Sequence, residues 1–314
     1  MLVSIIIPCH NVQEYISASI LSALNQTYLD IEIICIDNNS TDNTLSILNE
    51  FKEKFPNKIT VLQEFKKGAP ATRNKGLTVA KGEWIQFLDA DDELMPDKIL
   101  NQVNHIFNNP SVEVIVAPLI KNFITRKNVY IEALDNVWVG IILSRAGCTC
   151  SNLYKKTAVV KINGWDETKI SSQETWLLFN LLKQQCNISV YNKAETIVNE
   201  RVCGSITFNN RIGNWERYVT FREEIWQFLK SVNLITPEIE KALKQSIFDS
   251  IRFSFKEDPE KAIALYKKHV KDKFVPIESK VTGKNYLSLY NLVGFSSLEK
   301  TKAKVRRYLN LLKK

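Results

Sequence analysis

The chain has 314 residues, of which 45% are hydrophobic and 24% charged, and its formal net charge is +8. This composition is typical of a soluble globular protein with one large domain or two. It argues against a membrane-spanning or exported protein, because no apolar run approaches the ~18–20 residues of a span and MLVSIIIP lacks the basic region of a signal peptide.

Four short runs rich in β-branched residues predict strands in the first hundred residues, namely LVSIII, IEIICI, ITVLQ and EWIQFL. Amphipathic segments lie between them, one with an apolar stripe over residues 12–24 and the next over residues 45–55. The segment NNSTDNT offers helix-capping side chains before the second of these. Strands that alternate with helices at this spacing predict a parallel sheet covered on both faces.

Polar residues follow directly after three of these strands, in the segments PCHN, DNNS and DADD. Ligands of open parallel sheets bind at the carboxyl ends of the strands. We therefore expect the three segments to converge on one crevice.

The second half of the chain changes character. Residues 110–205 look mixed, with strand-like VEVIVAPL and ISVYN and a helix near ETWLLFNLLKQ. From about residue 213 the pattern is helical, and Pro opens both PEIEKALKQSIFDSIRFSF and PEKAIALYKKHVK. We place a boundary near residues 205–212, which gives an α/β domain over 1–210 and a helical region over 211–314.

The excess of positive charge lies at the C-terminus. The segment 300–314, KTKAKVRRYLNLLKK, holds seven Lys or Arg and no acid, so the remaining chain is nearly neutral and nucleic acid is not the expected partner. Val305, Tyr308, Leu309 and Leu312 have the spacing of an amphipathic basic helix. Binding to an anionic membrane surface and packing on its own domain are equally good interpretations of this helix.

Six cysteines are scattered through strand-like apolar surroundings, at positions 9, 35, 148, 150, 186 and 203. Only Cys148 and Cys150 are close in sequence, and C-x-C is not the spacing of a zinc site. We expect reduced, buried thiols in a cytoplasmic protein.

Three carboxylates, Asp89, Asp91 and Asp92, follow the apolar run WIQFL with only Ala90 between them. Carboxylates this close repel one another unless they have a partner, and Mg²⁺ or Mn²⁺ uses one or two of them when phosphate oxygens complete its shell. The hydroxyls of a ribose are a second partner. By itself the segment also fits an ordinary acidic turn.

Four motifs in order give the cluster its context: VSIIIPCHNVQEYI, DIEIICIDNNSTDNT, KKGAPATRNKGLTVAKGEWIQFLDADD and GWDE. Together they closely resemble the family 2 glycosyltransferases, over roughly residues 1–210. The resemblance implies a GT-A fold, which is a Rossmann-like α/β fold with a mostly parallel sheet flanked by helices. It also implies an enzyme that uses a nucleotide-diphospho-sugar with Mn²⁺ or Mg²⁺ and inverts the anomeric carbon.

The resemblance assigns most of these residues to the nucleotide. Asp89 would hold the ribose and Arg73 the diphosphate, with Asp91 as the metal ligand and Asp92 in support. The other nucleotide-binding candidates are Pro8, His10, Asn11, Asp37 and Asn38. His10 stands where the family often has Tyr, and Asn38 stands where it often has a second Asp that accepts the uracil N–H. UDP is therefore the default nucleotide, with other bases open.

The family's catalytic base is a carboxylate at the start of a helix after the GWDE segment. Glu174 in SSQETWLL fits the variant Q-E-x-x-L, although Thr175 stands where a second acid often follows. Asp166 of GWDE is the second candidate. Arg201 and Ser205 resemble positions near the diphosphate, and Trp165 fits either a platform for a sugar or the core of its loop.

Other classes fit less well. A Rossmann oxidoreductase or a P-loop enzyme would need glycine-rich motifs that PCHNVQ and GAPATRNKG do not supply, and a sugar nucleotidyltransferase would need a Gly-rich basic loop after the first strand. An inactive nucleotide- or glycan-binding homologue stays open because of Thr175 and Asn38.

We expect transfer of a sugar to a hydroxyl of a glycan or lipid-linked acceptor in surface polysaccharide synthesis, at the inner face of the membrane. The sequence leaves open the sugar, the acceptor and whether the helical region forms a homodimer.

Overall fold

The computed structural model describes residues 1–201, 211–255, 258–270, 274–279 and 281–311, without the side chains of 211–216 and 306–311. The chain divides into two compact units, Met1–Gly204 and Ser205–Lys314. Within the described ranges, no helix combines the length and the apolar character that crossing a membrane would require.

The first unit is an α/β structure, as the sequence predicts. Its strands are β1 (Val3–Cys9), β2 (Ile31–Asp37), β3 (Ile59–Gln63), β4 (Trp84–Phe87), β5 (Glu93–Leu94), β6 (Val114–Val116), β7 (Leu119–Asn122), β8 (Val129–Ile131), β9 (Leu153–Lys155), β10 (Ile188–Val190) and β11 (Thr196–Asn199). Its helices are α1 (Ile16–Leu24), α2 (Thr44–Lys54), α3 (Ala69–Val79), α4 (Lys98–Asn108), α5 (Val137–Leu143), α6 (Lys156–Lys161) and α7 (Gln173–Lys183).

The larger sheet has the order β10-β6-β9-β4-β1-β2-β3. The four strands predicted from the first hundred residues are confirmed as β1 to β4, and they pair in parallel around β1. The sequence did not predict β9, which runs antiparallel between β4 and β6. Because the carboxyl ends of β1, β2 and β4 share one edge, the polar segments that follow them lie on the same side of the sheet.

Successive side chains of β1 point to opposite faces of this sheet, and both faces are covered by helices. Ile5 and Ile7 belong to a core that includes Ile16 and Ile20 of α1. On the opposite face a Cβ added to Gly76 of α3 would lie 2.5 Å from the side chain of Ile6, so only glycine lets this helix approach the strand so closely. The three consecutive isoleucines of β1, at positions 5–7, therefore reflect a strand that is buried on both faces.

The smaller sheet has the order β5-β11-β7-β8 and was missed in the sequence. β11 runs parallel to β7 and antiparallel to β5, and β7 and β8 form an antiparallel hairpin. Its strands are two to four residues long, too short for a periodic pattern to stand out. The pairing of β11 with β5 brings residues 196–199 beside the acidic segment.

The second unit is helical in its described part, with α8 (Arg211–Ser231), α9 (Pro237–Ser254), α10 (Pro259–His269) and α11 (Lys284–Leu311). Its core is aromatic: the ring of Phe248 lies 5.5 Å from that of Tyr290 and 5.8 Å from that of Phe295, measured between centroids. The backbone leaves the helical conformation at Gly294, within α11.

Residues 300–311 of the basic tail form the end of α11, where Val305 is 52% exposed. The side chains of Tyr308 and Leu309, and Leu312 altogether, lie outside the described residues. The predicted amphipathic stripe of the tail is therefore tested only at Val305.

A buried lysine lies between the larger sheet and α4. Lys98, the first residue of α4, is 1% exposed, and its ammonium donates a hydrogen bond to the side-chain oxygen of Gln86 in β4. The amide of Gln86 in turn donates to the carbonyl of Cys150 at 2.8 Å. Burial lowers the pKa of Lys98 to about 7, because its charged form has lost most of its water.

This pKa predicts a pH-dependent stability. Between about pH 7 and pH 8.5 the folded state releases the Lys98 proton, whereas the unfolded chain, with a lysine pKa of about 10.4, keeps it. The unfolded state then binds more protons, so the free energy of unfolding of the wild type rises with pH across this window. We expect it to rise by about 2 kcal/mol more than that of Lys98→Met. Urea unfolding of the wild type and of Lys98→Met at pH 7 and at pH 8.5 measures the difference. The buried thiols titrate in both proteins, so their contribution cancels when the two are compared. Lys81→Met, at an exposed position, is the control; a Lys98→Met profile parallel to that of the wild type would contradict the prediction.

Candidate active site

The segments after β1 and β2 contact each other directly. His10 is exposed, and its ring Nδ1 lies 2.7 Å from the carbonyl oxygen of Asn38. Asn11 has a positive φ of 49°, and its side-chain oxygen accepts a hydrogen bond from the backbone N–H of Thr41 at 2.8 Å. Pro8 lies at the end of β1, partly exposed. The structure therefore brings these predicted nucleotide-binding residues to one edge of the sheet.

Asp37 and Asn38 are both buried at the end of β2. One carboxylate oxygen of Asp37, Oδ2, accepts the backbone N–H of Ser40 at 3.3 Å, whereas Oδ1 has no hydrogen-bond partner among the described residues. A buried acceptor without a partner is costly, so Oδ1 suits a donor from a ligand. The polar atoms of the Asn38 side chain, in contrast, have partners. Its NH₂ group donates to the carbonyls of Glu64 and Lys66, and its oxygen accepts a hydrogen bond from the N–H of Gly68.

The acidic segment after β4 is neutralised by two arginines. Asp89 pairs with Arg73 of α3 at 2.6 Å, and Asp91 pairs with Arg201 at 2.5 Å. Arg73 is 6% exposed at its side chain and also donates to Gln173 at 3.0 Å. These pairs remove much of the repulsion that three adjacent carboxylates would otherwise suffer.

The third carboxylate, Asp92, is buried and is held by different groups. It accepts the backbone N–H of Asn199 at 3.0 Å and the thiol of Cys150 at 3.1 Å. Burial, together with the carboxylates of Asp89 and Asp91, raises the pKa of Asp92 well above its usual range. Asp92 is therefore a buried support for the segment.

Two sets of side chains here could hold a metal ion. Ligand atoms of Asp89, Asp92 and Cys150 lie within 4.8 Å of one another. Burial raises the pKa of the Cys150 thiol well above its usual range, and a protonated thiol is a poor match for Mg²⁺ or Mn²⁺, which prefer oxygen. Asp89 and Asp91 supply the carboxylate oxygens that such a cation prefers, and each of the two is paired with an arginine in this structure.

The first turn of α7 carries the predicted base. Ser172 precedes the helix in the left-handed conformation, with φ 53°, and Gln173 accepts the hydrogen bond from Arg73. This contact anchors the start of α7 to the Arg73–Asp89 pair. Burial raises the pKa of Glu174, with Asp89 adding to the rise and Arg73 opposing it. Thr175, where the family often has an acid, is buried.

The GWDE loop holds Asp166 in a different environment. Asp166 accepts hydrogen bonds from the backbone N–H and the hydroxyl of Thr168, at 2.9 and 2.6 Å. Partial burial raises the pKa of Asp166, but these hydrogen bonds and the charge of Lys169 outweigh it, so the pKa is lowered overall.

Trp165 is 2% exposed, packs edge-on against Phe87 and lies under the guanidinium of Arg73. Trp165 is therefore part of the loop core, and the alternative of an exposed sugar platform is wrong.

The sequence missed two residues that organise the site, Cys150 and Asn199. Asn199 donates its side-chain amide to the carbonyl of Asp91 at 2.9 Å, in addition to its backbone contact with Asp92. Neither residue lies in a recognisable motif, because Cys150 comes shortly before β9 of the larger sheet and Asn199 ends β11 of the smaller sheet. Ser205, a weaker candidate near the diphosphate, lies outside the described residues.

Comparison with known proteins identifies the family and the fold. The model of Glycosyl transferase family 2 matches residues 4–150. The Escherichia coli enzyme UDP-Glc:alpha-D-GlcNAc-diphosphoundecaprenol beta-1,3-glucosyltransferase WfaP is 41% identical over 143 residues, which are 46% of this chain and 51% of WfaP. The chain thus spans about half the length of that relative.

Two further matches extend beyond the first half. An uncharacterized glycosyltransferase of Rickettsia typhi, RT0329, is 30% identical over 241 residues, covering 74% of this chain and 72% of that protein. Crystalline S. aureus TarS 1-349 in complex with UDP-GlcNAc has a TM-score of 0.63 at 17% identity, and the match covers 97% of this chain and 92% of TarS 1-349. The structural likeness confirms the predicted GT-A fold, and the sequence likeness places the chain in glycosyltransferase family 2.

Proposed function

We propose that the protein is an inverting glycosyltransferase that moves a sugar from a UDP-sugar to a hydroxyl of a lipid-linked glycan. One observation carries the proposal: a partly buried carboxyl group of raised pKa, Glu174, lies in the first turn of a helix that is anchored to the Arg73–Asp89 pair. A base of this kind, beside a cationic group and an acidic cluster, suits attack on an anomeric carbon with a diphosphate leaving group.

The donor side follows the strand ends. His10 offers an exposed ring for stacking on the base, beside Pro8 and Asn11, and the unpartnered Oδ1 of Asp37 accepts a base N–H. Asp89 takes the ribose hydroxyls. Arg73 contacts the diphosphate, for which its planar guanidinium is suited. Asn38 acts by holding residues 64–68 in place.

Asp91, with Asp89 beside it, would hold Mn²⁺ or Mg²⁺. When bound, such a cation neutralises charge on the diphosphate leaving group. Arg201, which now pairs with Asp91, supplies positive charge at the same point.

Glu174 is the stronger of the two candidate bases. Its raised pKa makes it a better proton acceptor once ionised, and the first turn of α7 fixes its backbone. Asp166 has a lowered pKa and uses a carboxylate oxygen to hold its own loop. We therefore assign proton abstraction from the acceptor hydroxyl to Glu174.

The acceptor class and the place of action are proposed from the relatives and the charge pattern. The name of WfaP gives a UDP-glucose donor and a diphospholipid-linked sugar acceptor, and we propose the same classes for this chain.

The basic segment 300–314, with Val305 exposed, would bind an anionic membrane surface on the cytoplasmic side. Sedimentation with anionic vesicles should fall on deletion of 300–314, and equal binding of both forms would contradict the role of the tail.

A panel of nucleotide sugars with Mn²⁺ tests the proposed function. We expect one UDP-sugar to raise the melting temperature and to be slowly hydrolysed to UDP, both in a metal-dependent manner. Stabilisation without any release or transfer would instead indicate an inactive nucleotide-binding homologue. A wild-type protein that responds to no nucleotide would contradict the proposal.

A further inference from the structure

The hairpin of β7 and β8, residues 119–131, carries three cationic side chains. Its sequence LIKNFITRKNVYI contains Lys121, Arg126 and Lys127 and no acidic residue. Arg126 and Lys127 are exposed and Lys121 is partly exposed. Nothing in the assignment of the donor site uses these residues.

Two of these cations lie against the same ring. The guanidinium carbon of Arg126 is 3.6 Å from the centroid of Phe123, and the ammonium of Lys121 is 5.2 Å from it. Within the part of the chain that the structure describes, no carboxylate pairs with Lys121, Arg126 or Lys127. Like charges held close together repel, and a bound anion would relieve that repulsion.

The base of the hairpin is joined to the acidic segment. The side-chain amide of Asn122, the last residue of β7, donates to the side-chain oxygen of Asn199 at 2.9 Å. Asn199 donates in turn to the carbonyl of Asp91 and to the carboxylate of Asp92. This chain of hydrogen bonds places the base of the hairpin next to the acidic segment.

Apolar side chains stand exposed on the same hairpin. Ile124 is 60% exposed, and Val129, which lies opposite Lys121 on the same face of the hairpin, is 39% exposed. Exposed apolar groups next to these cations match an amphiphile that has an anionic head and a hydrocarbon chain. A purely polar phosphate polymer would use only the cations.

We propose that this hairpin binds the diphosphate and the first prenyl units of a lipid-linked acceptor. The inference rests on the proposed function, because it assigns the acceptor side of the same site. Lys121 and Arg126, positioned by Phe123, contact the diphosphate, and Ile124 and Val129 contact the lipid.

Binding of farnesyl diphosphate, measured by calorimetry below its micelle concentration and with the donor pocket filled by UDP, tests the proposal. The hairpin variant is Lys121→Gln, Arg126→Gln and Lys127→Gln combined. The matched control removes three exposed charges elsewhere in the unit, by Lys52→Gln, Lys54→Gln and Lys81→Gln. We expect the hairpin variant to bind about tenfold more weakly, since charged hydrogen bonds are lost, and the control to be unchanged. Phe123→Leu, which keeps every charge, should weaken binding by a smaller factor.

Further ligands distinguish the possible outcomes of this test. Farnesol and inorganic pyrophosphate should each bind more weakly than farnesyl diphosphate, since each lacks one half of the amphiphile. Equal affinities of the two triple variants would overturn the proposal, as would tighter binding of a poly(glycerol phosphate) than of the lipid. UDP binding by both triple variants reports an intact fold and donor site. If the wild type fails to bind UDP, the proposed function fails, while the comparison of the triple variants without UDP still decides the role of the hairpin.

Discussion

Glu174→Gln is expected to lower kcat by about 10²- to 10⁴-fold and to leave the KM for the donor nearly unchanged. Glutamine has the shape of glutamate and fits the first turn of α7, but it cannot accept the proton of the acceptor hydroxyl. The loss should therefore appear in turnover, with UDP binding and the melting temperature close to those of the wild type. Initial rates of UDP release with acceptor present measure the effect.

The pH profile distinguishes a base from a structural carboxylate. Because burial raises the pKa of Glu174, the acid limb of kcat/KM should lie above the ordinary range of a glutamate, and the residual activity of Glu174→Gln should lack that limb. Asp166→Asn is the matched control and should change kcat only a few-fold. A large loss in Asp166→Asn with an active Glu174→Gln would reverse the assignment.

Asp91→Asn is expected to abolish the Mn²⁺-dependent part of the thermal stabilisation by UDP and to lower kcat by about 10²- to 10³-fold. Asparagine keeps the volume of the side chain and can still accept a hydrogen bond, but it lacks the charge that a hard cation requires. Thermal shifts with UDP, with and without Mn²⁺, give a readout that does not depend on turnover.

Arg201→Gln is the control for this substitution, because Asp91→Asn also breaks the Asp91–Arg201 pair. If Asp91 serves the metal, Arg201→Gln should retain the metal-dependent shift. Equal loss of that shift in both variants would mean that Asp91 acts through its ion pair with Arg201 and does not bind the cation itself.

The sequence predicted the parallel half of the fold better than the rest. β1 and β2 are seven-residue runs that are buried on both faces, so their composition alone identifies them. The smaller sheet consists of very short strands whose pairing depends on distant residues, such as Thr196 of β11 opposite Leu94 of β5. Nothing local in either segment encodes that pairing.

The capping prediction for α2 shows a similar limit. NNSTDNT does precede the helix, but Asn43 at the N-cap makes no side-chain capping bond. Asp42 instead accepts the backbone N–H of Gln13 and of Thr44, which ties the segment to the loop after β1. Local propensity placed the helix start correctly, whereas tertiary contacts decided which polar atoms are used.

For the site, motifs indicated which residues are present but not how they pair. The sequence placed Asp89 and Asp91 next to each other and predicted ligands for both. It could not show that Arg73 and Arg201, separated from the acidic segment along the chain, already balance these charges. Nor could it show the opposite pKa shifts of Glu174 and Asp166, because burial and hydrogen bonding are set by the surrounding fold.

The three hydrogen bonds of Asn38 tie the end of β2 to the segment that follows β3. Its amide donates to the carbonyls of Glu64 and Lys66 at 2.6 and 2.8 Å, and its oxygen accepts the N–H of Gly68 at 2.9 Å. A carboxylate in its place could accept but could donate to neither carbonyl. Replacing Asn38 by Asp would therefore remove two donated hydrogen bonds and set a carboxylate against two carbonyls, which destabilises the turn over residues 64–68. The identity of residue 38 thus records the shape of that turn, so by itself it does not report which nucleotide base the enzyme selects.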